Sequence, residues 1–245
     1  MKLVFEIAKT GSLAYISHLD MMRLFLRVLR MSGLRPAYSE GFNPHPKMSF
    51  ALPLPLGIYS VCELLEFETC ERADTAPFMH TDSRTEKVPA PVIIVNEKLP
   101  EGVRVRAWCR KPESVKKSLA SLTDAAVYEY MCDGIADAPG KLETLFTKES
   151  IKILKRDKKT GTDTEKEIRG QMRGYRIVKD MRGRMLAEVT LSAAPGNTLG
   201  PAAFFTAFCS ESGLDEPTLA PIITRTAILG AEGKPISEKL NLRRL

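Results

Sequence analysis

The sequence predicts an α+β fold of two tandem ferredoxin-like (split βαβ) domains, and three observations carry that reading. Residues 1–70 run strand, helix, strand, strand, the opening part of a split βαβ unit. Beyond residue 111 strands and helices alternate again in similar order, with an extra hairpin. At 245 residues the chain is long enough to bury a core in each of two domains. The boundary is expected at Lys111-Pro112-Glu113-Ser114, giving domains of residues 1–110 and 111–245, the second of them basic.

Lys2 to Lys9 alternates as an opening strand. Ser17-x-x-Asp20 reads as a capping box, the serine oxygen on the third helical N–H and the acid reaching back to the serine amide. Apolar residues at 19, 22, 26 and 29, and again at 21, 24, 25 and 28, make the helix to Met31 too apolar for one wet face. Cover on both sides is therefore expected. The exception is a single stripe of Asp20, Arg23, Arg27 and Arg30 along one side. Gly33 supplies the left-handed helix end. Pro44 and Pro46 then hold His45 extended in the loop Gly41-Phe42-Asn43-Pro44-His45-Pro46-Lys47.

Met48 to Leu52 is strand-like, Pro53 to Gly57 a bend, and Cys62 to Glu68 a strand whose acids are expected on a solvated edge. Glu71 to Lys87, with His80, reads as a solvated loop or short helix. The runs Val88–Val95 and Val103–Cys109 flank a turn at Pro100-Glu101-Gly102. Alternation puts Arg104, Arg106 and Arg110 on one strand face, with Trp108 among them unless a bulge turns it into the core. In the second domain a short helix over 114–122 leads to a strand over 126–132, and Pro139 opens a helix to Lys148. Hairpins are expected between 151–156 and 164–169, across Lys159-Thr160-Gly161, and between 174–179 and 185–191. A Phe-rich helix over 201–212 and a strand over 222–229 complete it.

Composition fits a globular chain, 44% hydrophobic and 27% charged, with a net charge of +6 that leans toward a polyanionic partner. Residues 151–190 hold 12 Lys and Arg against 6 acids, an excess equal to that of the whole chain. Basic hairpins there suit a phosphate backbone, and equally suit edge strands guarded by lysine. No apolar run has the length of a membrane span and no signal peptide is evident, so a cytoplasmic location is expected. Five cysteines without CxxC spacing suggest neither a disulfide framework nor a zinc site, and no cysteine triplet is spaced for an iron–sulfur cluster. No metal and no cofactor are expected.

The candidate site is the first quarter of the chain. Asp20, Arg23, Arg27 and Arg30 form either an anion-facing groove, since guanidinium forks suit phosphate, or a solvated edge with Asp20 paired to Arg23. Phe42, Asn43, His45 and Lys47 form either a base-stacking and phosphate-binding loop or a rigid turn. His18 and His45 are the catalytic candidates, as general acid and base on a phosphodiester or as structural residues. A lesser alternative joins His18, Asp20 and His45 at a metal.

The segment from Gly11 through Asp20, Arg23, Arg27 and Arg30, the Tyr38–Pro46 loop, Pro53-Leu54, Gly57 and Glu63 resembles the radical-SAM-linked protein family, a domain of unknown function. The match is dense to about residue 70 and continues in outline through Asn96–Val103. The resemblance implies a partner, a radical SAM protein encoded beside or fused to family members, and no catalytic residues to carry over. The leading expectation is a non-catalytic accessory to a separately encoded radical SAM enzyme, binding RNA or presenting a phosphate-bearing substrate through an Arg-lined groove. The alternative is a metal-independent RNA-processing endonuclease using His acid–base catalysis, similar at fold level to the CRISPR RNA-processing endonucleases.

Overall fold

The computed structural model describes residues 1–70, 78–79, 88–131, 135–156, 161–215 and 221–245. The expectations for Glu71 to Lys87 with His80 (Phe78 and Met79 apart), for Cys132 and for the turn residues Lys159 and Thr160 lie outside them. The fold is α+β, and the chain divides into two compact units, Met1–Thr123 with Lys234–Leu245, and Asp124–Gly233.

In the first unit β1 (Lys2–Lys9) leads through a 3-10 turn (Gly11–Tyr15) to α1 (His18–Met31), β2 (Met48–Phe50) and β3 (Tyr59–Glu68). A short pair, β4 (Phe78–Met79) and β5 (Val88–Pro89), precedes α2 (Ala90–Lys98), β6 (Val103–Arg110) and the single turn α3 (Leu119–Leu122). The run Val88–Val95 is thus mostly helix, and Val92 and Val95 are buried in it. The strands pair antiparallel in the order β2-β3-β1-β6. The inward residues Leu3, Phe5, Ile7, Leu65 and Phe67 meet Phe25 and Leu29 of α1 in one core. Phe25, fully buried there, contributes about 1.5–3 kcal/mol by leaving water.

Three expectations change here. The helix α1 has a wet face after all: Met21, Phe25, Val28 and Leu29 are buried, while Leu19, Asp20, Arg23, Arg27, Arg30 and Met31 are exposed. Its remaining apolar residues Met22, Leu24 and Leu26 only flank the core and are half-buried. The acids of β3 do not sit on a solvated edge, because β1 covers one side of that strand and β2 part of the other. Glu63 is 2% exposed, and Glu66 takes Lys111 Nζ at 2.6 Å and the Leu119 amide at 3.0 Å. That contact also explains why the chain divides after Thr123 rather than near residue 111: Lys111 is no linker residue but is buried between Glu66 and the Lys117 carbonyl, 2.7 Å away.

A bulge in β6 opposite Glu6 and Ile7 shifts the register and turns Trp108 into the core. Gly102 (φ +92°), just before β6, accepts at its carbonyl from the Thr10 amide at 2.7 Å, and a Cβ there would lie 2.6 Å from the Thr10 oxygen. Only glycine fits that crossing.

The second unit runs β7 (Ala125–Met131), α4 (Ala138–Thr147), β8 (Lys152–Arg156), β9 (Asp163–Glu167), β10 (Met172–Lys179), β11 (Met185–Ala194), β12 (Asn197–Thr198), α5 (Pro201–Ser212) and β13 (Ile223–Leu229). Its main strands pair antiparallel in the order β10-β11-β7-β13, with β8 and β9 as the extra hairpin. Both expected hairpins are present. Tyr128, Tyr130, Val189 and Leu191 are buried in the sheet, and the Tyr130 ring lies 5.3 Å from that of Phe204 on α5 while its hydroxyl donates to the Pro201 carbonyl at 2.9 Å. The two units share one connectivity: strand, helix, strand, strand, helix, strand, ordered second, third, first, fourth across the sheet.

After the second unit the chain returns to the first. Ile236 and Leu240 of a 3-10 turn are buried, and β14 (Arg243–Arg244) pairs antiparallel with the outer edge of β6. Among the described residues no helix is long and apolar enough to cross a membrane.

Candidate functional site

At the start of α1 the Ser17 hydroxyl accepts from the Asp20 amide at 3.1 Å and donates to Asp20 Oδ2 at 2.6 Å, so the expected cap forms. The serine hydroxyl, and then Arg23, hold the Asp20 carboxyl below its ordinary pKa. Arg23 Nη1 donates to Asp20 Oδ1 at 3.1 Å across an exposed pair, a geometry that contributes little to stability. Arg27, one turn on, makes no ion pair or side-chain hydrogen bond among the described residues. Arg30 donates to the Tyr38 hydroxyl, with its guanidinium 5.8 Å from the Tyr38 ring centre.

Tyr38 opens the next part of the site. It bridges to Pro46, the Ser39 amide donates to the His45 carbonyl at 2.8 Å, and the His45 amide donates back to Ser39 Oγ at 2.9 Å. This closes the loop into a tight finger. Phe42 at its tip is fully exposed, with Asn43 and His45 also in solvent. Lys47, at the base, lies 3.5 Å from Glu68. The Arg30–Tyr38 contact therefore makes one continuous surface of the arginine stripe and the finger.

His18 belongs elsewhere. Its ring packs edge-on against Phe50 at 5.5 Å and lines a cavity of about 10 Å³ with Lys9, Met21, Leu54 and Glu63. That space holds about one water. Burial, the larger effect, together with the Lys9 ammonium lowers the His18 pKa, and Glu63 opposes them. Lys9 is 1% exposed and donates from Nζ to the Ile16 carbonyl at 2.8 Å. The fully buried Ser60 donates to Glu63 Oε1 at 2.6 Å. These groups tie β1, β3 and the segment entering α1 together, and leave no room for a substrate.

Lys9 and Ser60 were not picked out from the sequence, and Glu63 only through the family resemblance, although strand parity carries a signal for Lys9 and Glu63. Lys9 is in phase with the inward Leu3, Phe5 and Ile7, and Glu63 with Leu65 and Phe67. His18, facing its small cavity, and His45, on the exposed finger, do not form an acid–base pair. Asp20 is engaged with Ser17 and Arg23, so the alternative metal site at His18, Asp20 and His45 does not assemble. Among the described residues no three His, Cys, Asp or Glu gather as metal ligands.

Part of the basic stretch of the second unit is ion-paired. Lys152 meets Glu165 at 2.8 Å, Arg173 meets Asp124, Arg184 meets Asp180 at 2.7 Å, and Arg176 meets Glu188. Arg169 spends its guanidinium on the carbonyls of Phe146, Lys148 and Met172. Arg156, Lys179 and Arg182 stay exposed there without an ion pair among the described residues, as Arg27 does on α1 of the first unit.

No curated protein matches the chain. Residues 2–201, most of its length, match the model of a family described as an uncharacterized protein conserved in bacteria (DUF2344), and the chain belongs to that family.

Proposed function

We propose that this protein is a cytoplasmic, non-catalytic accessory to a separately encoded radical SAM enzyme, and that it holds RNA on the surface made by α1 and the Tyr38–Pro46 finger. One observation carries the RNA part: Arg23, Arg27 and Arg30 stand exposed along one helix face and connect through Tyr38 to a finger tipped by the fully exposed Phe42. Guanidinium groups meet phosphates, an aromatic in solvent stacks on an unpaired base, and Asn43 and His45 beside it offer hydrogen bonds to base edges. The radical SAM partner rests on the resemblance of the first seventy residues. The shared strand order of the two units supports the finer reading of the fold as tandem ferredoxin-like domains, the second carrying the β8–β9 hairpin.

The test is fluorescence anisotropy of the full chain with a labelled unstructured RNA, against duplex DNA, over a salt series. Arg23→Gln/Arg27→Gln is expected to weaken RNA binding at least about tenfold and to flatten the salt slope by about 1.4, two single-strand phosphate contacts. Phe42→Ala is expected to cost about 1–3 kcal/mol of binding, one stacked base. Unchanged affinity in both variants would overturn the RNA reading. Failure of the purified radical SAM protein to bind the full chain would overturn the partner.

A further inference from the structure

We propose that the cleft between the β1–β6 crossing and the C-terminal strand binds the phosphate group of a small-molecule ligand. The cleft measures about 590 Å³ and is lined by Ala8, Thr10, Gly102, Arg104, Arg106 and Arg244, with Leu245 at its end. It lies on the face of the sheet turned away from α1: Ile7 and Val105 point into the core under the helices, whereas Ala8, Arg104 and Arg106 alternate with them. The site therefore stands apart from the RNA surface and does not rest on that reading.

Three arginines line this cleft because of how the chain returns. Arg106 is half-buried and is aimed by a hydrogen bond from Nη1 to the Val61 carbonyl at 2.9 Å. The β14 pairing sets Arg244 opposite Ala107, and the Leu245 amide donates to the Arg106 carbonyl at 2.9 Å, which fixes the strand beside the cleft. Arg243, one residue earlier, goes the other way and covers the Trp108 ring at 5.7 Å.

Two of these arginines are uncommitted. Arg104 and Arg244 make no side-chain hydrogen bond or ion pair among the described residues. Glu6 stands near enough for Arg106 and Arg244 to pull its pKa down, yet burial prevails and raises it, and Glu6 closes no ion pair with the three arginines among the described residues. Gly102 leaves the floor beside Arg104 as bare backbone, held to Thr10 by its amide and, at 3.3 Å, by its hydroxyl. Volume in the range of ligand clefts and an open fork of arginines suit a phosphomonoester, which takes guanidinium donors in bidentate pairs.

The experiment is calorimetric titration of the full chain with 5′-AMP, adenosine and inorganic phosphate at fixed ionic strength. Expected are saturable binding of 5′-AMP, competition by inorganic phosphate and no binding of adenosine. Arg104→Gln/Arg244→Gln, both exposed positions, should weaken 5′-AMP binding at least about tenfold with an unchanged thermal melt. Arg23→Gln/Arg27→Gln should leave it unchanged. The proposal is overturned if 5′-AMP does not bind, if the Arg104/Arg244 variant binds as tightly as the parent, or if the Arg23/Arg27 variant abolishes binding.

Discussion

In the second unit Lys152, Arg173, Arg176 and Arg184 each meet a carboxylate, whereas in the first Arg27 has no partner among the described residues and Arg23 has only the exposed Asp20. The sequence count puts an excess of +6 in residues 151–190, where Arg156, Lys179 and Arg182 also stay exposed without an ion pair among the described residues. A charge excess read along the chain counts side chains one by one. Which of them lie beside an opposite charge is set by strand register and helix turns. Register does the pairing here: Arg176 sits opposite Glu188 on β11, and Lys152 lies one strand away from Glu165 across the β8–β9 ladder.

The units also differ in how each buries a cation. Lys9 shares its cavity with Glu63 and His18, while Arg225, 1% exposed, donates to the Tyr128 hydroxyl at 3.1 and 3.3 Å with its guanidinium 5.4 Å from that ring. The largest effect expected is from Glu63→Ala, which removes the buried carboxylate that holds the Ser60 hydroxyl and shares a cavity with the Lys9 ammonium: about 3–5 kcal/mol lost in urea denaturation. A loss below about 1 kcal/mol would mean that Lys9 does not depend on Glu63. Tyr128→Phe keeps the ring and removes the hydroxyl acceptor, and is expected to cost about 1.5–3 kcal/mol. Equal costs from the two substitutions would erase that difference between the units.

The smallest effect is a pH dependence confined to the first unit. Because the folded His18 has a pKa below its ordinary 6.5, the unfolded chain binds the proton more readily. Stability from this residue is complete above 6.5 and falls as pH drops through the window beneath it. His18→Gln should flatten that part of the stability–pH curve, and a parent curve already flat there would show that His18 titrates alike in both states.

Much of this was legible in the chain. The cap at Ser17, the left-handed Gly33, the hairpin β10–β11 and the Pro-opened helices α4 and α5 all follow from local residue chemistry. What was lost required knowing neighbours. The acids of β3 look like an edge in sequence, and only the pairing of that strand with β1 shows Glu63 to be interior. Lys111, charged and followed by proline, has the composition of a linker, and only the fold brings Glu66 to it. The stripe on α1 was legible as a pattern, but its junction with the finger depends on Arg30 reaching Tyr38, eight residues on. The β14 strand carries no signal of its own in two arginines.

That last strand sets an order of events during synthesis. The first unit is built from both ends of the chain, with the whole second unit between them. A ribosome delivering the chain from its N-terminus exposes the outer edge of β6 long before residues 243–244 exist to pair with it. An open edge is a template for association with other strands. Arg104, Arg106 and Arg110 put like charge along that same strand, and charged side chains on an open edge disfavour such pairing.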